Sequence, residues 1–125
     1  MTSNPNEGER RKLEAHAMLE ARREVFVNRG RRALLEAALL NGHASADDVQ
    51  LAVELPHGVD PVCLGSVPGP LARAGIIHRI CYAPTQRPVG HARPVSVWRL
   101  IDRSAALNWL ANHPDQPDPA SKAEA

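Results

Sequence analysis

The segment VPGP at residues 67–70 constrains the fold of this chain more than any other feature. Two prolines with a glycine between them cannot lie inside one regular helix, because an interior proline costs about 3 kcal/mol and disfavours helical geometry in the residue before it. The sequence therefore predicts two short helical pieces, one over residues 61–67 and one that has Pro70 in its first turn and ends near Ala74. Gly75 is expected to stop the second piece.

Helix signals dominate the chain before this break. Residues 9–28 predict a long helix with one apolar face, made of Ala15, Met18, Leu19, Val25 and Phe26. Gly30 predicts the end of that helix, and residues 31–41 predict a second, buried helix that ends at Gly42. Ser45 is expected to cap a short third helix, and Asp60 before Pro61 is expected to open the fourth.

Two β-branched segments follow Gly75 and predict a hairpin. Residues 76–83 form the first strand, with Ile76, His78, Ile80 and Tyr82 on one face and Ile77, Arg79 and Cys81 on the other. A long connection at 84–94 leads to the second strand at 95–101. Asp102 is expected to cap a last helix over 103–112, anchored by Leu107, Trp109 and Leu110. The proline-rich residues 114–125 predict a disordered tail.

Positive charge is concentrated in one part of the chain. Residues 61–101 contain five arginines and no aspartate or glutamate, whereas residues 1–60 and 102–125 each carry a net charge of −2. The whole chain has a net charge of only +1. A locally positive surface of this kind is what a polyanionic partner requires, although a chance cluster of solvated charges is the alternative.

The order of elements resembles that of a winged helix-turn-helix domain, in which three helices precede a two-stranded hairpin with a basic tip. LLEAALLNGHASADDVQLAV resembles the first two helices, LARAGII the end of the recognition helix, and RPVGHARPVSVWRL the wing of small phage and bacterial members of this family. The resemblance covers roughly residues 30–101. It implies an α+β fold with a three-helix core and a hairpin wing, to which this chain adds an N-terminal and a C-terminal helix.

The resemblance also implies residues that contact double-stranded DNA. In this family the third helix enters the major groove and the wing reaches the backbone or minor groove. The matching nucleic-acid-binding positions in this sequence are Ser66, Arg73, Arg79, Arg87, His91, Arg93 and Arg99. The proline break departs from the family pattern, because it leaves only Ser66 and Arg73 as polar side chains on the third helix. We therefore expect binding with little sequence preference, with the arginines on one exposed face.

Other chemistry finds little support in the sequence. His57, Cys63, His78 and Cys81 could be grouped as zinc ligands, but their spacing is not that of a structural zinc site, and a strand would point His78 and Cys81 to opposite faces. No phosphate-binding glycine loop, paired catalytic carboxylates or nucleophile elbow is present, so no enzymatic activity and no cofactor are expected. Reduced cysteines are expected.

These observations predict four parts: a disordered N-terminus at 1–8, an N-terminal helix at 9–29, a winged-helix domain at 30–113 and the tail at 114–125. The predicted function is that of a small regulator or replication accessory protein of a phage, prophage or bacterium. The alternative is a protein–protein adaptor that uses an exposed apolar stripe on the first helix for docking or homodimerisation. Without a secretory signal or an apolar run of about 20 residues, a cytoplasmic protein with no membrane partner is expected.

Overall fold

A computed structural model describes residues 5–86 and 93–124 of the chain. It combines helices with one small antiparallel sheet, an α+β architecture. The helices are α1 (Pro5–Asn41), α2 (Ala46–Ala52), a 3₁₀ helix (Pro61–Ser66), α3 (Pro68–Arg73), α4 (Arg103–Asn112) and α5 (Pro119–Glu124). The strands are β1 (His43–Ser45), β2 (Ile77–Pro84) and β3 (Pro94–Leu100), and the sheet has the order β1-β3-β2.

The first helix is continuous over 37 residues, so the predicted stop at Gly30 is wrong. Gly30 is buried in the middle of α1, where a β-carbon would lie 2.7 Å from Cγ2 of Val67 and 3.3 Å from the side chains of Leu64 and Val49. The glycine therefore permits close approach of the broken third helix and α2 to α1. The helix ends instead at Gly42, which has a φ of 84°.

The predicted break of the third helix is confirmed. The Asp60 carboxylate accepts a hydrogen bond from the Val62 N–H at 2.9 Å and caps the 3₁₀ helix. Helix α3 begins at Pro68, directly after Val67, and its C-cap is Ala74. Both prolines thus lie in the first turn of α3, where a missing N–H costs nothing. Ser45 caps α2 as predicted, in a capping box with Asp48.

The sheet contains a strand and a bulge that the sequence did not reveal. Strand β1 pairs with β3, so the hairpin has a third strand beside it. In β2, Arg79 pairs with Trp98 and Cys81 with Val97, which leaves Ile80 as an extra residue. Because the bulge reverses the alternation, His78 and Cys81 share one face and Arg79 and Tyr82 share the other. The predicted faces of β2, and the argument that His78 and Cys81 point apart, are therefore wrong.

The C-terminal segment packs against α1 rather than extending away. Asp102 caps α4 by accepting from the Ala105 N–H at 2.9 Å. Ala106 is the buried residue of α4, whereas Leu107 is half exposed, which corrects its assignment as an anchor. The tail, predicted to be disordered, carries α5, and a two-pronged ion pair joins Asp118 to Arg22 with both N–O distances at 3.0 Å.

The core lies between α1, the sheet and the short helices. Its largest fully buried side chains are Phe26, Leu34, Leu35, Leu71, Ile77 and Val67. All but Phe26 are aliphatic, as the low aromatic content of 3% leads one to expect. Within residues 5–86 and 93–124, no helix is both long enough and apolar enough to cross a membrane.

Candidate functional site

The two faces of the sheet differ in what covers them. On one face, the cross-strand pairs Ala44–Trp98 and Ile77–Leu100 pack into the core beneath the helices. On the other face, Arg99 lies directly between His43 and His78, and all three side chains are exposed. The outer face therefore carries a row of three basic side chains across three strands.

Arg79 lies on the helix-side face, next to the edge of the core. Its guanidinium carbon is 5.0 Å from the ring centroid of Tyr82 and 6.0 Å from that of Trp98, both within the range of a cation–π contact. The bulge at Ile80 makes this contact possible, because residues 79 and 82 of a regular strand would point to opposite faces. The Arg79 guanidinium therefore lies over the rings of Tyr82 and Trp98 and remains exposed to solvent.

Trp98 connects this face of the hairpin to the helices. It borders an apolar cavity of about 330 Å³ that is also lined by Val49 of α2, Leu64 of the 3₁₀ helix and Val67 at the start of α3. Arg79 therefore lies on the side of the sheet that faces α2 and the broken helix.

The structure does not gather the predicted arginines on one face. Arg79 pairs with Trp98, the neighbour of Arg99 in β3, so Arg79 and Arg99 point to opposite sides of the sheet. Arg93 is exposed directly before β3, and its carbonyl accepts from the Thr85 N–H at 2.9 Å. Arg87 and His91 lie outside the described residues.

The two predicted residues of the third helix differ in accessibility. The Ser66 hydroxyl donates to the Cys63 carbonyl at 2.8 Å, and the Ser66 side chain is half-buried. Ser66 thus serves to close the 3₁₀ helix. Arg73 is exposed at the end of α3 and folds back over Gly69, whose missing β-carbon would lie 3.4 Å from Nη1. Of the two, Arg73 is the one that can reach a ligand.

A buried carboxylate fixes the base of the hairpin to α2. Oδ1 of Asp47 accepts from the Thr85 hydroxyl at 2.5 Å, and Oδ2 accepts from the Gln86 N–H at 2.8 Å. Asp47 is 8% exposed and Thr85 is 7% exposed. Hydrogen bonds to a buried charge are among the stronger ones, so this contact orients the hairpin relative to the helices.

The described arginines differ in whether they pair with carboxylates. Five from the first 60 residues form ion pairs with carboxylates: Arg10, Arg11, Arg22, Arg29 and Arg32. In contrast, the four arginines of 61–101 that the structure describes are exposed and form no ion pair with any described residue: Arg73, Arg79, Arg93 and Arg99. The positive charge of this segment is therefore not neutralised within the described part of the chain.

The cysteines and histidines do not form a metal site in the parts of the chain that the structure describes, where no group of three metal-ligating side chains comes together. Cys63 is buried in the 3₁₀ helix, and burial raises the pKa of its thiol, which keeps it protonated. Cys81 is exposed on β2. Cys63 is thus a small residue of the core, and Cys81 is a separate thiol on the surface.

Sequence reasoning missed two basic groups. His43 was not singled out because a three-residue strand carries almost no periodic signal, and only its pairing with Arg99 makes it part of a row. Arg31 was placed in a buried helix without a role, yet it donates to the carbonyls of Ser66 and Val67 at 3.0 and 3.1 Å. A basic residue in a helix that the sequence predicts to be buried was the available signal.

Comparison with known proteins provides no family assignment. A scan against protein-family models finds no match, and searches of curated proteins and of solved structures find none either.

Proposed function

We propose that this chain is a winged helix-turn-helix domain that binds double-stranded DNA through its hairpin and its broken third helix. The order of helices and strands, with β1 completing a sheet of order β1-β3-β2 beside the hairpin, supports the fold proposal. The observation that carries the functional proposal is the absence of ion pairs, among the described residues, at Arg73 on α3 and at Arg79 on the helix-side face of the hairpin. Arginines that are already paired with carboxylates attract a polyanion far less than arginines that are free to contact phosphates.

The geometry favours the helix-side face of the hairpin as the contact surface. Arg79 lies there on Tyr82 and Trp98, and α3 presents Arg73. The two rings orient the Arg79 guanidinium, so this side chain loses less conformational freedom when it binds a phosphate. The short α3 offers few polar side chains to base edges, and the binding is therefore of low sequence preference.

The test is fluorescence anisotropy with a mixed-sequence duplex at several salt concentrations. Wild-type affinity is expected to fall steeply with salt, because each neutralised phosphate contributes about 0.9 to the slope of log K against log salt. Arg79→Gln should lower affinity and reduce that slope by about one. Arg99→Gln is the matched control, since it removes the same charge from the adjacent position on the opposite face.

If Arg99→Gln lowers the affinity for DNA more than Arg79→Gln does, the contact lies instead on the outer face, with His43 and His78. Absence of binding to any duplex at low salt would remove the proposal. Arg79→Lys keeps the charge, so it should retain most of the salt slope while losing part of the affinity through weaker stacking.

A homodimer through α1 is the second candidate, and the exposure of the first third of α1 is the observation that favours it. Residues 6–17 of α1 are exposed on all sides, and Leu13 and Leu19 are 69% and 53% exposed. The two leucines lie about 120° apart around the helix, so they do not form the single apolar stripe that an adaptor was expected to show. Analytical ultracentrifugation of wild type and Leu13→Gln/Leu19→Gln tests it: a dimer that the double variant dissociates supports it, and a wild-type monomer contradicts it.

A further inference from the structure

A second group of arginines lies beside the broken third helix, away from the hairpin residues considered above. Arg31, on α1, reaches the junction between the 3₁₀ helix and α3, where its Nη2 and Nε donate to the carbonyls of Ser66 and Val67. Arg23 precedes it by two turns on α1, and Arg73 approaches from the end of α3. We call Arg23, Arg31 and Arg73 the flanking arginines.

The positive charges of Arg23 and Arg73 both act on Arg31. Burial lowers the pKa of Arg31 from its ordinary value, and the positive charges of Arg23 and Arg73 lower it further. Arg23 and Arg73 are exposed, and neither forms an ion pair with a residue in the described ranges. Like charges held together without a counter-ion cost free energy, and an anion bound between them would relieve that cost.

The surface between Arg23 and Arg31 is concave. A depression of about 490 Å³ is lined there by Arg23, Glu24, Val27, Asn28, Arg31 and Ser66. The Asn28 side chain donates to the carbonyls of His113 and Pro114. Glu24 forms no ion pair with Arg23 or Arg31. Arg31 is held in place by its two carbonyl contacts, which leaves the exposed guanidinium groups of Arg23 and Arg73 as the parts able to close on a ligand.

We propose that the flanking arginines form a phosphate site that holds the DNA backbone beside α3. This inference rests on the proposed function and adds a second place, beside the hairpin, at which the protein contacts DNA. The interrupted helix α3 contains one basic residue, Arg73, and α1 supplies the cations that α3 lacks. A phosphodiester oxygen is the expected ligand, because the guanidinium fork matches phosphate geometry and a backbone contact requires no base sequence.

The test compares Arg23→Gln/Arg73→Gln with Arg73→Gln alone, so that the contribution of Arg23 is separated from that of Arg73, and both variants leave the carbonyl contacts of Arg31 intact. With a mixed-sequence duplex, the double variant should bind more weakly than wild type at every sequence tried, and its salt slope should fall by about two. Arg103→Gln is the control matched in charge to Arg73→Gln, because it removes one cation at a place outside the site: Arg103 lies on α4 and its Nη1 contacts the Leu39 carbonyl. It should leave the slope unchanged.

The outcomes separate this inference from the proposed function. If Arg79→Gln weakens DNA binding and Arg23→Gln/Arg73→Gln does not, the hairpin contact stands and the flanking site is overturned. Inorganic phosphate, followed by calorimetry, is the second probe. A third outcome is that phosphate binds the wild type and not Arg23→Gln/Arg73→Gln, while the two proteins bind the duplex equally well. In that case the site binds a free anion, and the proposed contact with the DNA backbone is overturned. If no duplex binds the wild type, both DNA proposals fail.

Discussion

At the scale of single residues, Gly30 shows that a glycine in a helical pattern can either end a helix or allow a neighbour to pack closely against it. A glycine after a helical pattern predicts a helix end, because glycine is common at that position. In this chain it lies in the middle of α1, where it lets Val67 approach to a distance that no β-carbon would allow. The sequence around it does not distinguish these roles, since the contact joins residues 37 positions apart.

Replacing Gly30 with alanine should therefore destabilise the protein. The added methyl group would press on the buried Val67 side chain, and overpacking of this kind costs about 1–3 kcal/mol. Thermal unfolding followed by circular dichroism measures the effect. Gly8→Ala is the control in the same helix, because nothing lies within 4 Å of its added β-carbon and alanine favours the helix by about 1 kcal/mol. Equal changes in Tm for the two variants would contradict the packing role.

Asp118 is a second residue whose role depends on a distant partner. Hydrogen bonds from Arg22 hold the pKa of the Asp118 carboxyl below its ordinary value. A lowered pKa in the folded state means that the ionised carboxylate stabilises the docked tail above the ordinary range, about 3.9, and that this contribution is lost as the pH falls through the lowered value.

The amide of Ala120 reports this titration, because its N–H donates to Asp118 Oδ1 at 3.0 Å. Its NMR resonance should remain constant from pH 7 to about 4 and shift only below that range. Asp118→Asn should abolish the step and loosen the tail more than Asp115→Asn does, since Asp115 is the more exposed of the two. A shift centred on the ordinary aspartate range would contradict the account.

At the scale of elements, local chemistry predicted most of the helices and both hairpin strands. The break at Pro68 and Pro70 follows from backbone geometry, and the caps at Ser45, Asp60 and Asp102 follow from short side-chain hydrogen bonds. Strand β1 and the bulge at Ile80 could not be predicted, because both depend on how each strand is paired with β3.

The bulge also explains why the candidate site was only partly predicted. Arg79 was identified from its charge, but its place beside Tyr82 and opposite Arg99 depends on the one extra residue in β2. Charge patterning in a sequence indicates which residues are basic, whereas the face on which each one lies is decided by pairing.

The contact between α2 and the hairpin leads to a prediction for Asp47. Asp47→Ala should cost about 1–3 kcal/mol, because the Thr85 hydroxyl and the Gln86 N–H lose a buried acceptor. Asp48→Ala is the matched control: it removes a carboxylate from the same helical turn but affects only the capping box with Ser45. Hydrogen exchange at Gln86 should accelerate in the first variant alone. Equal acceleration in both would show that α2 capping, rather than the hairpin contact, is responsible.

At the scale of the whole molecule, the ion pairs are concentrated on α1 and the tail. Carboxylates of the tail and of α1 pair with arginines of α1, whereas the described arginines of the hairpin and α3 form no ion pair with described residues. Asp115 and Asp118 thus neutralise the side of α1 that faces the tail. The near-zero net charge of the chain hides this division, which is why composition alone does not indicate a partner.

The central claim is that this unpaired charge on α3 and the hairpin is a DNA-binding surface. Amide chemical shifts of the ¹⁵N-labelled protein, recorded during titration with a mixed-sequence duplex at low salt, test it most directly. The account predicts shifts concentrated in α3, β2 and β3, around Arg73 and Arg79, with residues 6–17 of α1 unchanged. Shifts confined to residues 6–17, or none at saturating duplex, would contradict it.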